Sequence, residues 1–135
     1  MEASTAELSE RLQRAGIKPT AQRLAIYRYV AEEGEHPTAE QVKAWMDRNF
    51  PKVSLATVYN TLNLLVQAGE LRAFRFPHTD KVVYDRNTAH HYHFLDEETG
   101  TLIDVPAEQV HIRTDLEPEL KVDGIHVVLR GRRRH

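Results

Sequence analysis

Apolar residues in the first seventy positions recur three or four residues apart, which is the spacing of amphipathic helices. The recurrence falls into four segments, each ended at or near a glycine or proline: Gly16, Gly34, Pro51 and Gly69. Each segment also follows a serine or threonine that can cap a helix N-terminus, namely Ser4 (with Glu7 as a capping box), Thr20, Thr38 and Ser54. The pattern therefore predicts four short helices.

The pattern changes after Gly69, where polar and apolar residues begin to alternate. Residues 71–76 (LRAFRF) and 81–85 (KVVYD) predict two short strands, and the PHTDK sequence between them predicts a turn. A β-hairpin that directly follows three or four short helices is the pattern of a winged helix-turn-helix, whose last helix enters the DNA major groove. The polar residues 85–89 (DRNTA) then predict a hinge.

Beyond the hinge the sequence predicts a second, smaller lobe. HHYHFLD and TLIDV predict a hairpin around EETG, and residues 120–131 predict a final strand before a frayed basic tail. Between them PAEQV could begin a short helix, but Pro118 prevents a long one. We therefore expect an α+β chain: a winged-helix DNA-binding domain over 1–84, a hinge, and a small α/β dimerisation domain over 90–135. The second domain has too few residues for a secure core of its own, so we expect a homodimer.

Composition narrows the class of protein further. The 135 residues are 41% hydrophobic and 28% charged, which is a globular composition. No run approaches the roughly 18 apolar residues of a transmembrane helix and no secretory signal is visible, so we expect a cytoplasmic protein without a membrane partner. The absence of cysteine excludes disulfides, thiol catalysis, iron–sulfur clusters and thiolate zinc sites. A net charge of −2 excludes binding nucleic acid by bulk charge, though not by a local basic patch.

The predicted fourth helix carries the candidate base contacts. Its sequence, SLATVYNTLNLLVQAG, has no charged residue, whereas a merely solvated helix face normally carries Lys and Glu. The outward positions are small, aromatic or hydrogen-bonding: Ala56, Thr57, Tyr59, Asn60 and Thr61. An aromatic ring can touch thymine methyls and an amide can pair with adenine, so the helix is typical of a double-stranded DNA reader. The alternative is a plain helical bundle in which this helix is buried on both sides.

Phosphate contacts require basic side chains beside such a helix. The second helix and the wing supply them: Lys18, Arg23, Arg28, Arg72, Arg75 and Lys81.

Histidines and carboxylates form the second candidate site. His91 and His93 lie two apart on a predicted strand, so both project from one face, roughly 6–7 Å apart along the chain. The hairpin would bring Asp104 back beside them, and Asp85 begins the predicted hinge. Each residue alone is more often an ordinary surface or core residue, but the joint pattern favours a metal site. Nitrogen and oxygen ligands without a thiolate suit Fe²⁺, Mn²⁺ or Zn²⁺.

Several motifs, in this order, resemble the ferric uptake regulator family: GIKPTAQR, HPTAE, VSLATVYNTL, AGEL, YD and HHYH. The resemblance covers residues from about 16 to 105, and VYN in place of VYR is similar to the peroxide-sensing and iron response branches. The resemblance implies a metal-dependent transcriptional repressor of metal homeostasis or oxidative-stress genes. It also implies binding of an A/T-rich inverted repeat as a dimer.

The resemblance assigns residues to both sites. Five side chains match the family's regulatory metal ligands: His36, Asp85, His91, His93 and Asp104. One ion held by all five would tie the two lobes together and set the spacing of the two recognition helices in a dimer. For DNA, the resemblance implies that Tyr59 and Asn60 contact bases and that Lys18 enters the minor groove. Thr57 and Arg23 would hold phosphate.

This chain departs from the family pattern at its other metal sites. Most members hold a zinc with paired cysteines in the second lobe, where Asp96 and Thr99 stand at the positions of the first pair here. A further family site would use His90, His111 and His126. Tyr92 replaces a usual carboxylate of that site, and His126 fits it only with a one-residue shift.

Other functions remain open from the sequence. On the same fold, the chain could be an iron-based peroxide sensor, in which bound Fe²⁺ oxidises a ligand, or a haem-responsive iron regulator using the HHYH cluster. A small non-haem metalloenzyme is a different class, but five protein ligands leave little room for substrate and no nucleophile–base pair accompanies them. We therefore expect no enzyme. A metal-storage protein would not need the uncharged recognition helix.

Overall fold

A computed structural model describes residues 3–50, 52–76 and 80–134. The chain divides into two compact units, Met1–Thr88 and Ala89–His135, so that the division falls inside the polar segment 85–89. No helix within the described ranges is long and apolar enough to cross a membrane.

The first unit opens with the helices that the apolar spacing predicts. Its described residues form α1 (Thr5–Arg14), α2 (Ala21–Arg28), α3 (Ala39–Asn49) and α4 (Leu55–Gln67). The predicted N-caps are confirmed, since each hydroxyl accepts a hydrogen bond from the backbone N–H three residues later: Ser4, Thr20, Thr38 and Ser54. At Thr38 the Gln41 side chain also accepts from the cap's own N–H at 2.9 Å, which completes a capping box. A π-helical turn, Tyr29–Glu33, extends α2 to Gly34.

The apolar stripes of these helices meet in one core. Their central side chains are at most 1% exposed: Leu8, Leu12, Ile26, Val42, Met46, Val58, Leu62 and Leu65. Burying a side chain of this size contributes about 1.5–3 kcal/mol relative to leaving it in water. The core therefore fixes α4 through one face and leaves its opposite face at the surface.

A two-stranded hairpin follows α4, as predicted. Strands β1 (Arg72–Arg75) and β2 (Val82–Asp85) pair antiparallel, with Arg72 opposite Asp85 and Arg75 opposite Val82. Positions 77–79 of the predicted PHTDK turn lie outside the described residues. The register places Asp85 at the end of the hairpin, next to the predicted hinge.

The second unit contains a small mixed sheet. Strand β3 (His91–Asp96) pairs antiparallel with β4 (Leu102–Pro106), which confirms the predicted second hairpin. Strand β5 (Val128–Gly131) pairs parallel with β3, so β3 is central in the described sheet. The ambiguous stretch after β4 forms a single 3₁₀ turn, Ala107–Gln109.

The predicted final strand over 120–131 is wrong in its extent. Only Val128–Gly131 pairs with β3, and residues 110–127 form no regular helix or strand. A segment of alternating hydrophobicity forms a strand only where a neighbouring strand hydrogen-bonds to it. Pairing with β3 begins at Val128, which lies opposite His93. The segment leaves several large apolar side chains exposed: Ile112, Leu116, Leu120, Val122 and Ile125.

Candidate metal centre and nucleic-acid interface

The exposed face of α4 carries the predicted base contacts. Ala56, Tyr59 and Asn60 are exposed, and Tyr59 keeps 39% of its surface in water. Val58 and Leu62 on the other side are fully buried. The helix is therefore half-buried, and the interpretation that it is buried on both sides is wrong. An uncharged surface with ring, amide and methyl groups can read base edges in the major groove.

Thr61 does not belong to that face. It was expected to point outward, but it is 1% exposed and its hydroxyl donates to the Thr57 carbonyl at 2.9 Å. The reason is helical geometry. A threonine hydroxyl can donate to the carbonyl four residues earlier, and this hydrogen bond allows the side chain to be buried. Thr57 itself lies in the first turn of α4, and its hydroxyl shares a 2.9 Å hydrogen bond with that of Ser54.

The basic residues expected at phosphates fall into two groups. Lys18 is exposed, and the Arg23 guanidinium donates to the Lys18 carbonyl at 3.1 Å, so these two lie together at the N-terminal end of α2. The Arg28 guanidinium instead lies 2.8 Å from the Glu32 carboxylate and donates to the Ala3 carbonyl at 2.9 Å. Both of these contacts of Arg28 are made within the first unit.

In the wing, Arg75 and Lys81 are exposed. The Arg72 guanidinium lies 4.8 Å from the centre of the Phe74 ring.

Glu40 also belongs to this surface, although no sequence motif points to it. Its two carboxylate oxygens lie 3.3 and 3.4 Å from the Tyr59 hydroxyl, and the Lys81 ammonium lies 3.7 Å from one of them. Desolvation and then the Glu40 carboxylate raise the pKa of Tyr59, so that hydroxyl stays a neutral donor. The only hint in the sequence is an acidic residue in the first turn of α3, which the helix dipole explains equally well.

In the second unit the ring nitrogens of two buried histidines converge. The β3–β4 register sets His93 opposite Asp104 and puts His91 two residues away on the same face. The two Nε2 atoms are 3.2 Å apart, and Asp104 Oδ1 lies 3.7 Å from that of His91 and 3.5 Å from that of His93. His91 is held in this orientation because its Nδ1 lies 2.6 Å from the Ala89 carbonyl.

These separations fit ligands of one metal ion. Metal–nitrogen and metal–oxygen bonds are about 2.0–2.2 Å long, so neighbouring ligand atoms in a tetrahedral or octahedral shell lie about 3–3.6 Å apart. The two buried nitrogens and the carboxylate oxygen have that spacing within about 0.1 Å. The donor set is imidazole and carboxylate without thiolate, which suits Fe²⁺, Mn²⁺ or Zn²⁺.

The first unit contributes a separate pair of candidate ligands. His36 Nε2 lies 3.3 Å from Asp85 Oδ2, while Asp85 Oδ1 accepts from the Asn87 N–H at 2.9 Å. The loop of His36 is fixed to β2, because the Tyr84 N–H donates to the Pro37 carbonyl at 2.9 Å. His36 has a φ of +48°, a backbone conformation that is uncommon outside glycine and that recurs at functional sites.

Comparison with known proteins decides the family. The sequence profile of the ferric uptake regulator family matches residues 14–128. The peroxide-responsive repressor PerR of Staphylococcus aureus is 34% identical over 100 residues, which cover 74% of this chain and 67% of the relative. The chain belongs to the ferric uptake regulator family.

Solved structures agree with this assignment. The ferric uptake regulator of Pseudomonas aeruginosa, determined with manganese, is 25% identical with a TM-score of 0.66, covering 94% of this chain and 98% of that one. PerR from Streptococcus pyogenes, studied for peroxide sensing and gene regulation, is 28% identical with a TM-score of 0.56, covering 95% and 89%.

Ferric uptake regulators are metal-responsive transcriptional regulators that bind DNA and act as dimers, and they are not enzymes. This chain is therefore a metal-responsive transcriptional regulator. Its α+β architecture is that of the family, a DNA-binding domain followed by a dimerisation domain.

The histidines of the family's further metal site lie in different places in this regulator. His90 is exposed and packs edge-on against Tyr92, with ring centres 5.2 Å apart. His111 is exposed in the irregular segment. His126 instead contacts His93, with 3.0 Å between its Nε2 and His93 Nδ1. Its position follows from the parallel register, because pairing of His93 with Val128 puts His126 level with His91.

The turn between β3 and β4 is closed by hydrogen bonds at the positions where other family members have cysteines. The Asp96 side chain is buried and accepts from the N–H groups of Glu98 at 3.0 Å and Thr99 at 3.4 Å. Gly100, with a φ of +76°, completes the turn by donating to the Asp96 carbonyl at 2.7 Å.

Proposed function

We propose that this regulator is a metal-dependent repressor that binds an A/T-rich inverted repeat as a homodimer when its regulatory metal is loaded. The observation that supports this most is the pair of buried Nε2 atoms, 3.2 Å apart, beside Asp104. Two imidazole lone pairs that face each other at this distance repel unless a proton or a cation lies between them. A divalent cation satisfies both nitrogens and the carboxylate at once.

The proposed ligand set completes this group with residues of the first unit. His91, His93 and Asp104 offer three donors, and His36 and Asp85 offer two more. Neither group fills a coordination shell of four to six by itself. An ion that takes ligands from both would link the DNA-binding and dimerisation units and reduce their relative freedom. Metal loading would then favour DNA binding by preorganising the dimer.

The proposed DNA contacts use the exposed face of α4 and the basic residues at the N-terminal end of α2. Tyr59 and Asn60 contact base edges in the major groove, and Lys18 enters the minor groove. Arg23 and Thr57 contact phosphates. These residues carry the sequence preference, whereas the metal sets whether two such helices match the two half-sites of one operator.

Fluorescence anisotropy tests this function directly. A labelled A/T-rich inverted repeat is titrated with the protein in EDTA and then with Mn²⁺, for the unchanged chain and for His93→Ala. We expect metal-dependent binding in the unchanged chain and its loss in His93→Ala. The control is Thr114→Ala, which changes an exposed residue outside both proposed sites. If folded His93→Ala still responds fully to Mn²⁺, the metal ligands are assigned wrongly.

A peroxide cue is the second candidate, and it is favoured by the match to the peroxide-responsive repressor of Staphylococcus aureus. Peroxide would react at bound Fe²⁺ and add one of its oxygens to a histidine ligand, His36 or His91, while its other oxygen leaves as water. The loss of that ligand would then release DNA. Mass spectrometry after peroxide treatment of Fe²⁺-loaded protein would show one added oxygen on the peptide of that ligand. Unmodified histidines together with continued DNA binding would contradict a peroxide cue.

A further inference from the structure

We propose that His126 is a positioning residue of the metal centre, which hydrogen-bonds His93 Nδ1 in both the metal-free and the metal-loaded protein. In the metal-free state it donates this bond, and in the loaded state it accepts it. The inference rests on the proposed function, since it assumes that His93 binds the ion through Nε2. It concerns a residue that is not a ligand.

The contact between the two histidines has the geometry of a hydrogen bond. His126 Nε2 lies 3.0 Å from His93 Nδ1, and the two rings are nearly perpendicular, at 80°, with centres 5.2 Å apart. His93 has no exposed surface, whereas His126 is exposed. A buried ring nitrogen is costly to leave without a hydrogen bond, so this contact limits how the His93 ring can turn.

In the metal-free protein, a backbone carbonyl fixes the proton position on His91, and the proton positions on His93 and His126 follow from it. His91 Nδ1 faces the Ala89 carbonyl, which can only accept, so His91 carries its proton on Nδ1 and leaves Nε2 as an acceptor. His93 Nε2, 3.2 Å away, can then donate to it. Neutral His93 has only one N–H, so its Nδ1 must accept, and the donor is His126 Nε2.

Metal binding reverses the direction of the last bond. When the ion takes the Nε2 lone pairs of His91 and His93, neutral His93 must carry its proton on Nδ1. That N–H can only be satisfied by an acceptor, so His126 presents Nε2 without its proton and carries the proton on Nδ1 instead. The reversal therefore consists of a change of tautomer, in which the proton of each ring moves from Nε2 to Nδ1. Solvent can exchange the His126 proton, because that side chain is exposed.

A histidine at position 126 can therefore do what a carbonyl cannot, namely donate in one state and accept in the other. The main chain reinforces the pairing, since the His93 N–H donates to the Val127 carbonyl at 3.2 Å. Ring and backbone of His93 are both attached to the segment that leads into β5. Ligating histidines are usually oriented by such a partner, and losing it typically lowers metal affinity about 10- to 100-fold.

The test compares His126→Ala with His126→Gln, whose amide can also donate or accept. Zn²⁺ affinity is measured by competition with a fluorescent chelator. We expect His126→Ala to lose about 10- to 100-fold, His126→Gln to recover most of that loss, and Thr114→Ala, a change at an exposed residue of the same irregular segment, to match the unchanged chain. Equal weakening in His126→Ala and His126→Gln would overturn the proposal, as would Zn²⁺ binding by His126→Ala as tight as in the unchanged chain.

Two-bond ¹H–¹⁵N NMR on the unchanged chain reads the proton positions directly, with and without diamagnetic Zn²⁺. We expect His93 to carry its proton on Nε2 without metal and on Nδ1 with Zn²⁺. The same position in both states would overturn the reversal. His93→Ala separates the two proposals: if it binds Zn²⁺ normally, the ligand assignment fails, while the metal-free spectrum still tests the contact between His93 and His126.

Discussion

Replacing Asp96 by alanine tests whether hydrogen bonds alone close the hairpin of the dimerisation unit. This carboxylate is 3% exposed and accepts from the Glu98 N–H at 3.0 Å and, at the edge of hydrogen-bond length, from the Thr99 N–H at 3.4 Å. A hydrogen bond to a charged group contributes about 1.5–3 kcal/mol, and the longer contact adds little. Asp96→Ala should therefore lower the local free energy of opening by about 2–3 kcal/mol.

Asp96→Asn is the matched control, because its amide oxygen can accept the same bonds without the charge. We expect it to lose about 1 kcal/mol, the value of a neutral hydrogen bond. The metal ligands are unchanged in both variants, so both are compared in the metal-free state.

Hydrogen exchange of the β3 and β4 amides measures this effect locally. A loss of 2–3 kcal/mol should speed their exchange about 30- to 150-fold. Trp45 is the only tryptophan of the chain and lies in α3, so its fluorescence reports unfolding of the first unit as an internal control. Unchanged exchange in Asp96→Ala would refute the reasoning, since the turn would then be held by something other than this carboxylate.

Three further outcomes follow from the DNA-binding unit. Tyr59→Ala should weaken operator binding about 10- to 100-fold, measured by anisotropy, with metal affinity unchanged. Glu40→Gln should remove the carboxylate charge that opposes Lys81, so that this ammonium neutralises phosphate more fully and the slope of log affinity against log salt steepens by up to about 0.9; an unchanged slope would place Glu40 outside the interface. Burial and the Glu70 carboxylate raise the pKa of the Tyr27 hydroxyl, which donates to Glu70 at 2.7 Å. The folded state therefore keeps this proton longer than the unfolded chain, so its stabilisation is complete below about pH 10 and is lost above it. In urea titrations the stability gap between the unchanged chain and Tyr27→Phe should narrow as the pH rises past that value.

Features that depend on nearby residues were predictable from the sequence. Helix caps such as Thr38 with Gln41 are formed within four positions, and the two hairpins follow from alternation around a turn. Features that depend on distant partners were not. Residues 120–127 alternate like a strand, but the ladder with β3 begins only at Val128. Glu40 reaches Tyr59 only because α3 packs against α4. The predicted exposure of Thr61 is wrong for a different reason, since a threonine hydroxyl can donate to a carbonyl of its own helix and so be buried.

The metal centre shows the same division within one cluster. The two-residue period of a strand puts His91 and His93 on one face, and the hairpin brings Asp104 to them. The proximity of these three residues could therefore be predicted from the sequence. His126 reaches the cluster through a parallel pairing across more than thirty residues, and a shift of one residue in a strand exchanges its two faces. With Val128 opposite His93, the His126 side chain lies on the same face of the sheet as His93. A register shift of one residue would place it on the opposite face, with His90. A role in the family's further metal site and the contact with His93 are therefore alternative uses of one side chain, and the β5 register selects the second.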